Sequence, residues 1–70
     1  MKMTKNTIKN LLNGEYMDAL AGFASWLSTK KDMETALENL DNKVWEIAAE
    51  IDQEEQWLQI YSALMCGIEY

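Results

Sequence analysis

From Met33 to Ile68 the apolar residues recur at alternating intervals of four and three: Met33, Leu37, Leu40, Val44, Ile47, Ile51, Leu58, Tyr61, Met65 and Ile68. Glu54 is the one polar residue in the series. This is the period of an α-helix that buries one stripe, and it excludes the two-residue alternation of a strand. Sustained over five repeats, it is also a coiled-coil seam. A single helix of that length would extend about 54 Å at 1.5 Å per residue. Its seam could then be covered only by the short N-terminal helices or by a second copy. Two signals favour a break that lets the chain fold back. Asp52-Gln53-Glu54-Glu55 has the spacing of a capping box, Asp52 to Glu55, where Glu54 interrupts the seam. Beyond it the apolar face broadens to Trp57, Leu58, Ile60, Tyr61, Leu64 and Met65. Leu40-Asp41-Asn42 is a second candidate break.

The remainder of the chain is also helical in pattern, with no proline and only Gly14, Gly22 and Gly67 as glycines. A first helix is expected from Thr4 to Leu12, with Thr4 as N-cap and Ile8, Leu11 and Leu12 as its apolar edge. Asn13-Gly14 should end it in a left-handed C-cap. A second helix is expected from Glu15 to Leu27. Tyr16, Leu20, Phe23 and Leu27 form its inner face, widened by Met17, Ala24 and Trp26. Ala19, Ala21, Gly22 and Ala24 are small enough to admit a neighbouring helix. Thr29, three residues before Asp32, is the expected start of the next helix. The reading is an all-α domain spanning residues 1–70, a bundle of three or four helices. At 70 residues the core is small, so dimerisation is a second way to complete it.

The net charge of −6 is unevenly placed. Five lysines, Lys2, Lys5, Lys9, Lys30 and Lys31, stand against Glu15 and Asp18 in the first 31 residues. The remaining residues hold ten acids against Lys43 alone. Such a field repels phosphate backbones and anionic membranes and attracts basic surfaces. The lysine head lacks arginine, the preferred reader of bases and phosphates, so direct nucleic-acid binding is not expected. A helix-turn-helix regulator would need a less acidic third helix.

Catalytic and metal chemistry lack their usual residues. Histidine and arginine are absent, and no glycine-rich phosphate loop occurs. A lone cysteine, Cys66, can neither close a disulfide nor complete a zinc site, and is expected to be a small apolar filler. No Asp-x-Asp-x-Asp-Gly calcium loop is present. The expectation is a protein that is not an enzyme and carries no cofactor or metal. The first thirteen residues hold three lysines and no apolar signal core, and no stretch approaches the roughly 20 apolar residues of a membrane span. A cytoplasmic location without membrane contact follows as an expectation, the more so as secreted domains of this size commonly carry disulfides.

What remains is the acidic belt: Asp32, Glu34, Glu38, Asp41, Glu46, Glu50, Asp52, Glu54 and Glu55. A belt can be no more than a solvated face. Ordinary solvated helices, however, intersperse lysines at i+4, and here Glu34/Glu38, Glu46/Glu50 and Glu50/Glu54 place like charges together. Carboxylates so spaced lie about 6 Å apart on a helix and imitate the phosphates of a nucleic-acid strand. Trp26 and Trp57 border apolar faces and should be core. Trp45 lies off the seam and should be partly exposed, as binding anchors are. The candidate partner-binding residues are therefore Glu34, Glu38, Asp41, Trp45, Glu46, Glu50 and Glu54.

In size, acidity and lack of catalytic residues or targeting signals, the chain resembles the small single-domain inhibitors that bacteriophages encode against host defences, the anti-CRISPR proteins among them. The resemblance covers no alignable stretch and transfers no residue. It implies a protein of the host cytoplasm that occludes a basic, nucleic-acid-binding surface on a larger protein or ribonucleoprotein complex. The alternative expectation is an assembly protein that forms homodimers or larger oligomers through the Met33–Ile68 seam.

Overall fold

The computed structural model describes residues 2–69, and the side chains of residues 2–68. Four helices follow one another: α1 (Lys5–Asn13), α2 (Tyr16–Leu27), α3 (Met33–Glu50) and α4 (Glu54–Glu69). There is no strand among the described residues. The ends of the helices show why the chain divides where it does. Thr4 is the N-cap of α1, its hydroxyl oxygen accepting from the Thr7 amide at 3.2 Å. Glu15 occupies the N-cap position of α2.

Three helix ends differ from the sequence expectation. Thr29 does not start α3. Its hydroxyl donates back to the Trp26 carbonyl at 2.7 Å, and the Ser28 hydroxyl donates to Ser25 at 2.8 Å. Both side chains therefore close α2. Asp32 caps α3 instead, accepting from the Thr35 amide and hydroxyl at 3.2 and 2.9 Å. These bonds hold the Asp32 carboxyl below its ordinary range. Gly14, in turn, is extended (φ −83°, ψ −176°) rather than left-handed. The Gly14 amide donates to the Leu11 carbonyl at 3.2 Å, and the Gln56 side-chain amide donates to the Leu12 carbonyl at 3.4 Å and to that of Gly14 itself at 2.9 Å, so the end of α1 is capped without a left-handed residue.

The left-handed residue is Asp52, at φ 55°. Ile51 closes α3, and the Gln53 amide reaches back to the Ala48 carbonyl at 2.9 Å, the long bond of a Schellman ending. The break thus falls at the Asp52–Glu55 site, while Leu40-Asp41-Asn42 is helical throughout. Asp52 does not play the capping-box role. It ends α3, and Gln53, whose carbonyl accepts from the Trp57 amide at 3.1 Å, precedes α4. A left-handed residue with a Cβ costs about 1 kcal/mol or more. Asp52→Gly relieves that cost but loosens the unfolded chain, so a net gain of about 0.5 kcal/mol is expected. Thermal melting should show a rise of about 2–4 °C, and Asp52→Ala a fall.

The helices enclose one core. Met3, Ile8 and Leu12 meet Ala19, Phe23 and Leu27, the α3 stripe Leu37, Leu40, Val44, Ile47 and Ala48, and Trp57, Ile60 and Leu64 from α4. Around the bundle the order is α1, α2, α4, α3, so that α3 and α4 form an antiparallel pair and α1 packs on α2 and α3. The radius of gyration is 10.9 Å, against about 11 Å for a compact domain of this length. Small residues act at fewer places than their number suggests. A Cβ on Gly22 would come within 2.6 Å of the Leu11 side chain, and Ala19 is buried, whereas Ala21 and Ala24 are exposed. Met17, expected to widen the inner face, is 69% exposed.

The heptad seam holds from Leu37 to Ile47 in α3, leaves Met33 exposed at the start of that helix, and changes phase in α4. There the buried residues are Trp57, Ile60 and Leu64, one position before Leu58, Tyr61 and Met65. The three residues of the turn reset the helical rotation, so counting intervals across them does not preserve a face. Leu58 in consequence stands 50% exposed.

Candidate partner-binding surface

Residues 34, 38, 41 and 45 follow the 4-3-4 spacing of a single helical stripe. Glu34, Glu38, Asp41 and Trp45 therefore line one flank of α3. Glu46 and Glu50 lie on the other flank, which faces α1. Glu54 belongs to α4. The expected row of Glu46, Glu50 and Glu54 is consequently not a row: the helix ends between its second and third members.

The two flanks differ in what neutralises them. Lys5 Nζ lies 3.3 Å and Lys9 Nζ 3.7 Å from Glu50 Oε2. These are the ion pairs among the described residues. They fasten α1 to the end of α3, so two of the five lysines of the expected head are occupied within the fold. Lys5, by hydrogen bond and by charge, and Lys9 more weakly, hold the Glu50 carboxyl below its ordinary range. A depressed carboxyl stabilises the fold above its unfolded pKa, and that contribution disappears as pH falls through the lower folded value. Carboxyl NMR should find Glu50 titrating below the ordinary glutamate range, with the shift reduced by Lys5→Gln and by salt.

Lys43, the only basic residue of α3, also lies on the far flank and donates to the Met3 carbonyl at 2.8 Å. On the near flank Asp41 is half-buried and accepts from the Trp57 indole N–H at 2.7 Å. It is thus part of the structural frame. Glu34, Glu38 and Glu46 are exposed, and Trp45 is half-buried with one side packed against the core. Of the seven candidates, the fold uses Asp41 and Glu50 itself. It brings Glu34, Glu38 and Trp45 together on one flank, with Glu46 and Glu54 outside it.

Several features lay beyond sequence reasoning. Gln56 ties α4 to the end of α1, and nothing in its local sequence marks it. Lys2, Lys30 and Lys43 gather with Trp26, Asn39 and Leu40 around an open cleft of about 540 Å³. Lys30 Nζ sits 4.7 Å from the centre of the Trp26 ring, a cation–π contact. Trp26 is half-buried, less enclosed than expected, whereas Trp57 is wholly buried. Cys66 is exposed and fills no core space. Among the described residues, no three His, Cys, Asp or Glu side chains are grouped closely enough to hold a metal ion. No helix of the described chain is long and apolar enough to cross a membrane.

Comparison with known proteins supplies no further guide: no family model, no curated protein and no solved structure matches the chain.

Proposed function

We propose that this protein is a non-catalytic binding module whose acidic α3 flank engages, and so occludes, a basic nucleic-acid-binding surface of a larger protein or complex. One observation carries the reading. Glu34 and Glu38 are exposed one helical turn apart, with no cation of the described residues paired to them, while the nearest lysine in sequence on α3 is turned to the other side. Like charges at this spacing destabilise a helix by a few tenths of a kcal/mol. A partner that supplies the missing cations offsets that cost, and water alone does not. Trp45 on the same stripe adds an aromatic surface of the kind that anchors interfaces.

The test is capture from a bacterial lysate by the tethered protein, with nuclease treatment and elution in rising salt. A nucleic-acid-binding protein that is retained after nuclease and released by salt supports the proposal. Retention that depends on nucleic acid, or that is indifferent to salt, rejects it.

A further inference from the structure

We infer that the outer face of the α3–α4 pair is a groove that receives a cationic amphipathic helix of the partner. This rests on the reading of the acidic flank and specifies what lies against it.

The α4 residues Glu54, Leu58, Tyr61 and Met65 repeat the 4-3-4 spacing of Glu34, Glu38, Asp41 and Trp45. Each set is one flank of its helix. The two flanks are turned toward one another. Asp41 is bonded across the pair to Trp57, while the opposite flank of α3 is taken by Met3, Lys5 and Lys9. The opposite flank of α4 carries Gln56, which reaches the end of α1. The helices are antiparallel about the turn at residues 51–53. Counting outward from it sets Trp45 level with Leu58, Asp41 with Tyr61 and Glu38 with Met65.

The result is an apolar patch with acids at its ends and along its α3 side. Trp45, Tyr61 and Met65 pack on the core with part of their surface open, and Leu58 is half exposed. Glu34 and Glu38 continue the α3 stripe away from the turn, Glu54 begins the α4 stripe at the turn, and neither stripe contains a lysine. An apolar patch calls for apolar anchors at helical spacing, and the neighbouring acids call for lysine or arginine beside them. A second copy of this chain would set the same carboxylates against each other, which is unfavourable. The paired helices run for about 25 Å, room for some 16 helical residues.

The probe is a 16-residue peptide of leucine and lysine with its leucines on one helical face. Its control has the same composition, scrambled to destroy that face. Titration into the isotopically labelled protein should perturb amides along residues 34–45 and 54–65, with the scrambled peptide at least 10-fold weaker. Leu58→Asp, a change at a half-exposed site that circular dichroism can check for folding, should cost 10-fold or more. Equal affinity of the two peptides would overturn the groove yet leave the acidic-flank reading intact, since charge alone would then explain binding. Perturbations centred on Lys2, Lys30 and Lys43 would overturn the placement. A dimer formed through these stripes would replace the partner helix with a second copy. Absence of any binding at low salt would sink both the groove and the reading beneath it.

Discussion

Trp57→Ala should remove most of the protein's stability. The indole is wholly buried, with Phe23 edge-on at 5.2 Å and Tyr61 at 5.9 Å between ring centres. Removing a core aromatic side chain of this size costs about 3–5 kcal/mol. The change also leaves Asp41, half-buried on α3, without the N–H it accepts at 2.7 Å. A chain of this length has a total stability of about 4–10 kcal/mol, so most of it is lost. The melting midpoint should fall by about 15 °C or more. Trp57→Phe retains much of the packing and loses only the hydrogen bond and some volume, so it should fall between the variant and the wild type. Equal midpoints for Trp57→Ala and wild type would contradict the core described above.

The second large effect concerns binding. Reversing Glu34 and Glu38 together to lysine should weaken capture of the salt-sensitive partner by 10-fold or more while leaving helicity unchanged. Both side chains are exposed and neither has a hydrogen bond or ion pair within the described fold. Glu34 lies in the first turn of α3, so its reversal gives up a favourable helix-dipole interaction of about 0.3–1 kcal/mol, small enough to leave the fold in place. At a cationic interface each reversal replaces attraction by repulsion, which costs several kcal/mol where the charges meet closely. Reversing Glu46 should matter less, because it stands on the flank that faces α1. Reversing Glu50 is a poor test, since it breaks the fastening to Lys5 and Lys9 and confuses stability with binding.

How much of this the sequence discloses depends on how local the cause is. The all-α class, Thr4 as a cap, the α3 stripe and Trp57 in the core all follow from periodicity and composition, which act within a turn or two of helix. The break near Asp52 was legible because Glu54 interrupts the seam. Its form was not, because an aspartate in the left-handed region obeys the demands of the α3–α4 packing rather than its own preference. The phase change in α4 follows from that turn and shifts the buried set from Leu58, Tyr61 and Met65 to Trp57, Ile60 and Leu64. For the candidate surface, residue type identified the acids but could not sort them. Asp41 and Glu50 are claimed by Trp57 and by Lys5, residues 16 and 45 positions away. Such partnerships arise from the tertiary fold, and only after they are subtracted does the Glu34–Glu38–Trp45 flank stand apart.

For the proposed binding flank the position of charge on α3 matters, not its total. Its most direct test is parallel capture by three tethered proteins: wild type, the Glu34→Lys/Glu38→Lys variant, and a Glu15→Lys/Glu55→Lys variant with the same change in net charge placed away from that flank. A nuclease-resistant, salt-eluted partner is expected on the wild type and on the displaced-charge variant, and its loss is expected from the variant reversed on α3. Equal loss from both variants would show that the partner responds to overall acidity and would contradict a defined binding flank.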